Sequence, residues 1–218
     1  VGLFITVEGI EGSGKSTLIT NLEQLINQTG HSTCITHEPG ATDFGKKLRA
    51  ILLESSQLRI DPLAELFLFQ ADRAQHIAEV IRPALEQGQV VLSDRFIHST
   101  LAYQGYGREL PLELVSALNQ LSSTEIKPSL TLLLDLDPAK GLERARARAE
   151  TQSGSQSSQQ DGLDRFEKET LSFHMRIREG FLAMAKAEPE LFLILDAEQD
   201  RNKLATQAFE RIQPLLSK

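Results

Sequence analysis

The sequence predicts an α/β fold in which a parallel sheet of about five strands is covered by helices on both faces. Two observations carry that expectation. Short, near-continuous apolar runs recur along the chain, the pattern of strands buried on both faces, and helix-length amphipathic stretches separate them. A third bounds it: the 218 residues contain neither an internal repeat nor a linker long enough to divide them, so residues 1–218 are expected to form a single domain.

Taken in order, Leu3 to Glu8 (LFITVE) is the first expected strand and Lys15 to Gln28 the first helix. His31 to Thr36 follows as a strand, then Gly45 to Leu53 and Pro62 to Gln87 as helices. Gln89 to Ser93 (QVVLS) and Ser129 to Leu136 (SLTLLLDL) are strands on either side of a helix at Pro111 to Leu121. Pro138 to Glu150 is a helix whose N-cap is Asp137, with proline at the first helical position. Leu163 to Lys186 reads as a long helix, Leu191 to Leu195 (LFLIL) as the fifth strand, and Asn202 to Leu216 as a closing helix. Thr151 to Gly162 (TQSGSQSSQQDG) has no apolar residue and cannot form a packed element; it is either a tolerated surface insertion or the tip of a mobile lid.

Composition removes whole classes. A single cysteine, Cys34, excludes a disulfide scaffold and reads as a small buried hydrophobe in or beside a strand. A formal charge of −7 argues against generic nucleic-acid binding, which rests on basic charge. With no apolar run of about 18 residues and no basic, apolar and small-residue leader pattern, a soluble protein of the reducing cytoplasm without membrane contact is expected. The five histidines show no metal-ligand spacing.

The strongest local signal is GIEGSGKST at Gly9 to Thr17, which fits G-x-x-x-x-G-K-[ST] between an apolar strand and a helix. Its glycines let the backbone wrap around phosphate oxygens, and N–H groups at the helix start face the anion. Gly9, Ile10, Glu11, Gly12, Ser13, Gly14, Lys15, Ser16 and Thr17 are therefore the candidate nucleotide phosphate site, with Lys15 on the outer phosphates and Ser16 on Mg²⁺.

Such a loop alone does not separate a nucleotide switch, a motor ATPase and a small-molecule kinase. Asp94, at a strand end, can reach Mg²⁺ through water and is preferred to Asp135 for that role; Arg95 beside it suits bidentate phosphate contact. If Ser99 starts a helix, Thr100, Tyr103 and Gln104 share a face offering a hydroxyl, an aromatic ring and an amide, suited to a base and its sugar. An ordinary polar helix face is the competing account. Phe69 and Arg73, four apart, pair a stacking ring with a donor for a carbonyl, although a Phe at helical spacing is more often core.

Together these residues resemble the thymidylate kinase family. The matched pieces are EGIEGSGKST at Glu8 to Thr17, HEPG at His37 to Gly40, LR at Leu48 and Arg49, and FLFQADRAQ at Phe67 to Gln75. SDR and STLAYQGYGR between Ser93 and Arg108, ERARAR at Glu143 to Arg148 and DRFE at Asp164 to Glu167 complete the series in the family's order. An acidic residue in the phosphate loop and arginines in the lid resemble the bacterial subtype. The chain departs from the family at His37, where Arg is frequent, and at Ala41, where a second Gly is; a contact to the acceptor phosphate is then lost or supplied by Arg49.

The resemblance implies a P-loop nucleoside monophosphate kinase fold with a mobile lid over about 143–167, and ATP-dependent phosphorylation of dTMP to dTDP on the way to dTTP. Glu11 would approach the substrate 3′-hydroxyl and the metal region; Glu38 and Arg49 would wall the monophosphate site, and Arg95 would bind the acceptor phosphate beside Ser99. Phe69 would stack on thymine, Arg73 would donate to O4, and Thr100 and Gln104 would meet the edge around N3. Tyr103 would crowd the ribose 2′ position, and of Arg144 and Arg148 one would lie near adenine and the other near the transferring phosphoryl group. Lys15, Arg95, Arg148 and Glu11 are the expected catalytic set, and a homodimer through the helix at Pro62 to Gln87 is the expected assembly. A P-loop ATPase acting as a switch, or a kinase for another monophosphate, is the alternative.

Overall fold

The computed structural model describes residues 2–54, 58–153 and 163–216. Its strands are β1 (Leu3–Glu8), β2 (Thr33–His37), β3 (Val90–Asp94), β4 (Leu130–Asp135) and β5 (Phe192–Asp196), forming one sheet in the order β2-β3-β1-β4-β5. Every pairing is parallel, so the expected architecture holds. The register sets Val7 opposite Asp94 and Asp94 opposite His37, so the carboxyl ends of β1, β3 and β2 finish level at one edge. In open α/β sheets that edge is where ligands bind.

The helices are α1 (Lys15–Gln28), α2 (Asp43–Arg49), α3 (Pro62–His76), α4 (Arg82–Glu86), α5 (Ile97–Thr100), α6 (Leu112–Ser123), α7 (Pro138–Ser153), α8 (Leu171–Ala187) and α9 (Arg201–Leu216). Alternation along the strands divides the core between the two faces. Ile5, Val7 and Leu92 belong with Leu22 and Ile26 of α1 and Ala208 of α9, while Phe4, Val91 and Phe96 meet Ile77, Ile81 and Ala84 on the other face. Each fully buried Leu or Ile contributes about 1.5–3 kcal/mol relative to an exposed one. Cys34 lies in β2 as expected, half-buried.

Two expectations change. Gly45 to Leu53 and Pro62 to Gln87 are not continuous α-helices: Ala50–Glu54 and Ile77–Ile81 are π-helical, as is Leu101–Gly107. The long helix expected from Leu163 begins only at Leu171, where the Thr170 side chain caps it by accepting from Phe173 N. Before it, Asp164 Oδ1 accepts from the backbone N–H of Phe166 and of Glu167, both at 2.9 Å. That side chain offers the backbone a turn in place of a helix. Asp137 caps α7 as expected, accepting from Ala139 N at 3.0 Å, and Asp135 is held by Arg178 rather than facing a metal. Of the Ser/Gln-rich stretch, Thr151 to Ser153 continue α7, and 154–162 lie outside the described residues.

Candidate active site

A cleft of about 1110 Å³ opens at the carboxyl edge of the sheet. The turn from β1 into α1 forms its floor. Gly14 holds φ +94° at the N-cap and no side chain caps α1, so the helix's first N–H groups remain open toward the cleft. Gly12 is required by a close approach: its φ is +70°, and a methyl group there would collide with the Gly141 carbonyl at the start of α7. The phosphate loop and the helix bearing the lid arginines thus touch backbone to backbone. Lys15 Nζ folds onto the carbonyls of Gly9 (3.2 Å) and Ile10 (3.0 Å). Burial, with the Arg95 charge, pulls its pKa down to about 8. Ser13 Oγ is buried and has no hydrogen-bond partner among the described residues. Gly9 and Ile10 sit behind the loop and do not line the cleft; their contribution is these carbonyls.

Arg95 follows β3 in a left-handed conformation, φ +73°, which costs a non-glycine residue about 1–3 kcal/mol. Its neighbours hold it there. Its N–H reaches Val7 O at 3.0 Å, its carbonyl accepts from Ser93 Oγ at 2.7 Å, and buried Glu8 accepts from Phe96 N at 2.9 Å. The guanidinium donates to Gly9 O, Ser99 Oγ and Glu11 Oε1 at 3.0, 3.1 and 3.1 Å. Glu11 also accepts from the Tyr103 hydroxyl, and His174 Nδ1 lies 3.4 Å from its second oxygen. Burial opposes the Glu11 charge, but His174, Arg95 and Lys15 outweigh it and hold the carboxyl well below its ordinary range. Glu8 has the opposite fate: burial dominates the Ser99 hydrogen bond and pushes it up to about 7.

The other wall comes from α3, α5 and the π-helical turn after it. Arg73, 1 % exposed, donates from Nε to Glu38 Oε2 (2.9 Å), from Nη1 to Asn119 (2.8 Å) and Gln70 (3.3 Å), and from Nη2 to Thr100 (2.8 Å). Nη2 also lies 2.8 Å from Glu38 Oε2, so each of the three guanidinium nitrogens is held by a protein acceptor. Glu38 is turned inward onto Arg73 and His76. Its charge is favoured by both partners despite burial. Arg49 reaches back to donate to Pro39 O at 2.8 Å, and its side chain crosses Gly40. His37 beside it has its pKa lowered by burial and the Arg49 charge, which disfavours its positively charged form. Phe69 and Phe166 stand 6.1 Å apart, centroid to centroid.

Ser16 Oγ and Asp94 Oδ2 face each other at 3.4 Å across the mouth of the loop. Arg144 lies within 3.4 Å of Gly12 O and Ala197 O, while Arg148 pairs with Glu167 of the turn before α8. Apart from Gly9 and Ile10, every sequence-identified site residue lines this one cleft. Sequence reading missed Glu8, Glu65, Asn119, Phe166 and His174. Glu65 had a signal, since it is four residues before Phe69 and eight before Arg73 on one helix face. Glu8 and Phe166 stand inside the matched motifs without an assigned role, and Asn119 and His174 are joined to the site only by tertiary contacts.

Comparison with known proteins agrees with this geometry. A family model described as thymidylate kinase matches residues 7–208. The thymidylate kinase of Solidesulfovibrio magneticus is 47% identical over 214 residues, covering 98% of this chain and 100% of that protein. That of Geobacter sulfurreducens is 47% identical over 206 residues, 94% of each chain. The crystal structure of thymidylate kinase from Ehrlichia chaffeensis superposes with a TM-score of 0.74 at 30% identity, covering 97% of this chain and 98% of that one.

Proposed function

The chain belongs to the thymidylate kinase family, and from that premise we propose that it transfers the γ-phosphoryl group of ATP to dTMP, giving ADP and dTDP. The observation that carries this reading is the union, in one cleft, of a phosphate loop with a second anion site at Arg95 and a base-reading wall at Phe69, Arg73 and Gln104. A nucleotide switch has no use for the second half.

Phosphoryl transfer demands that two anions be brought into line and their charge offset. Lys15 turns from its own loop carbonyls to the outer phosphates of ATP, and the N–H groups of α1 with Ser13 Oγ take the remaining oxygens. Arg95 releases Glu11 to hold the dTMP phosphate, with Arg49 supplying a permanent charge beside His37, whose charged form is disfavoured. Ser16 and Asp94 would hold Mg²⁺, since two hard oxygens face one space and, among the described residues, no cluster of three or more His, Cys, Asp or Glu competes for it. Held there, Mg²⁺ would supply charge neutralisation for the phosphate groups. Arg144 sits on the ATP side, and Arg148, freed from Glu167, reaches the transferring group as the arginine-bearing end of α7 and the turn at 163–167 close on the cleft and exclude water. The acceptor phosphate is already ionised near neutrality, so no carboxylate base is needed.

Residues 1–218 act as one such domain, and a second copy packs on α3, whose outer face exposes Ala64, Phe67, Ala71 and Ala74 at helical spacing. No helix among the described residues is long and apolar enough to cross a membrane, in keeping with a cytoplasmic enzyme. A steady-state screen of nucleoside monophosphates with MgATP tests the assignment: dTMP turns over fastest, and a preference for dGMP or dAMP overturns the base-reading wall.

A further inference from the structure

Glu65 sits on α3 with no exposure to solvent, and its carboxylate is the hub of a network that no phosphate or metal role explains. Oε1 accepts from Gln104 Nε2 at 2.7 Å and from Arg108 Nε at 3.2 Å. Oε2 accepts from Arg108 Nη2 at 3.2 Å and Arg165 Nη2 at 2.5 Å. Arg108 is anchored in turn by Glu169, and Arg165 by the Leu52 carbonyl at 2.8 Å. Two guanidiniums therefore balance the buried charge, and the carboxylate has only acceptors to offer.

That fixes something otherwise free to vary. A glutamine side chain can present either end of its amide to a ligand, but here Nε2 must face Glu65, because a flip would set oxygen against oxygen in a buried site. The Gln104 Oε1 atom takes no hydrogen bond from the described residues, yet it is not sealed from solvent, so it opens onto the cleft that Gln104 lines. Arg73, across the same wall, has only donors, and Glu38, Asn119, Gln70 and Thr100 hold them. The wall's open group is thus the Gln104 acceptor.

We propose that Glu65 is a positioning residue that locks the Gln104 amide with its oxygen toward the acceptor base, so that the site takes a base edge with a ring N–H and rejects one with a bare ring nitrogen. Thymine has the first edge and cytosine the second. A buried site built to hydrogen-bond one pattern leaves its own groups unpaired against the other, which is the strong form of discrimination. The inference rests on the reading of this cleft as the monophosphate site.

Glu65→Gln is the direct test, being isosteric, uncharged and able to accept or donate, so that Gln104 can turn over. The ratio of kcat/KM for dTMP to that for dCMP is expected to fall by about tenfold or more, mainly through a higher KM for dTMP. In a Gln104→Ala background the same change is expected to leave the ratio alone. An unchanged ratio in folded Glu65→Gln protein, or an equal fall in both backgrounds, overturns the proposal. Should Glu65→Gln fail to fold, the unaltered protein decides. The Gln104 side-chain NH₂ signals, assigned by their loss in Gln104→Ala, are expected to exchange slowly with water without ligand. Rapid exchange places that group in the cleft and overturns the proposal. Failure of the unaltered enzyme to phosphorylate either nucleotide counts against the functional reading, and the exchange measurement still decides the role of Glu65.

Discussion

Arg95 Nη2 donates to Glu11 Oε1 across 3.1 Å, so the strained arginine that follows β3 and the carboxylate of the phosphate loop hold each other. In the proposed mechanism the acceptor phosphate replaces Glu11 as the partner of Arg95. Arg95→Ala is therefore expected to lower kcat/KM for dTMP by about 10²–10³, the cost of losing one preorganised donor. Lysine at this position should restore little, because one ammonium cannot reproduce the fork that now reaches Gly9, Ser99 and Glu11. Glu11→Gln should lower kcat without raising the KM for dTMP, since it frees Arg95; a raised KM with unchanged kcat would assign Glu11 to substrate binding instead.

Tyr103 is built into the core as well as the site. Its ring lies 5.5 Å from that of Phe166 and 6.3 Å from that of Phe173, and its hydroxyl meets Glu11. Truncation to alanine should cost about 3–5 kcal/mol of stability, the usual range for a buried aromatic. Folded Tyr103→Ala should accept the ribonucleotide form of TMP more readily relative to dTMP, whereas Tyr103→Phe, which keeps the ring, should preserve the deoxy preference. The ratio of kcat/KM for the two sugars is the measurement. An unchanged ratio in the alanine variant removes Tyr103 from sugar selection.

Glu8 makes stability depend on pH in a defined direction. Its folded-state pKa is about 7 against 4.5 for an unburied glutamate, raised by burial. Between those values the folded chain keeps a proton that the unfolded chain has lost. Stability from this group is fully present below pH 4.5 and is lost as pH rises through 7, a change of about 3 kcal/mol. Denaturant unfolding of wild type and Glu8→Gln at pH 5 and pH 7.5 reads it: wild type should lose stability relative to the variant at the higher pH. Parallel behaviour would mean that Glu8 is ionised in the fold.

The apolar face of α3 gives the assembly its test. Phe67 is 51% exposed, and Leu63 on the same helix 40%. Phe67→Glu should convert a sedimenting dimer into a monomer, because a charge desolvated at a contact between copies has no partner. A wild-type mass of one chain would contradict the dimer.

Most of the sheet was legible because its signal is local. Four of the strands are near-continuous apolar runs and β2 (TCITH) is mostly polar, yet the bounds moved by no more than two residues; even β3, which buries Ser93, kept enough apolar sequence to be read. The helices were less secure. A π-turn such as Leu101–Gly107 has the same apolar spacing as an α-helix over so short a span, and Asp164 captures two backbone N–H groups that a helical reading had spent elsewhere. In the site, the phosphate loop was legible because glycine, lysine and serine act within nine residues. Asn119 and His174 were not, since each acts through a contact made only after folding: Asn119 holds Arg73, 46 residues away, and His174 flanks Glu11 from α8.

The central claim is that ATP gives up its phosphoryl group to dTMP and not to water. Simultaneous measurement of ADP and dTDP formed from MgATP, with and without dTMP, tests it most directly. The account predicts one dTDP for each ADP when dTMP is present, very slow ADP formation when it is absent, and near-complete loss of both in folded Lys15→Ala. ADP formation that dTMP does not stimulate, or that runs ahead of dTDP, would contradict it.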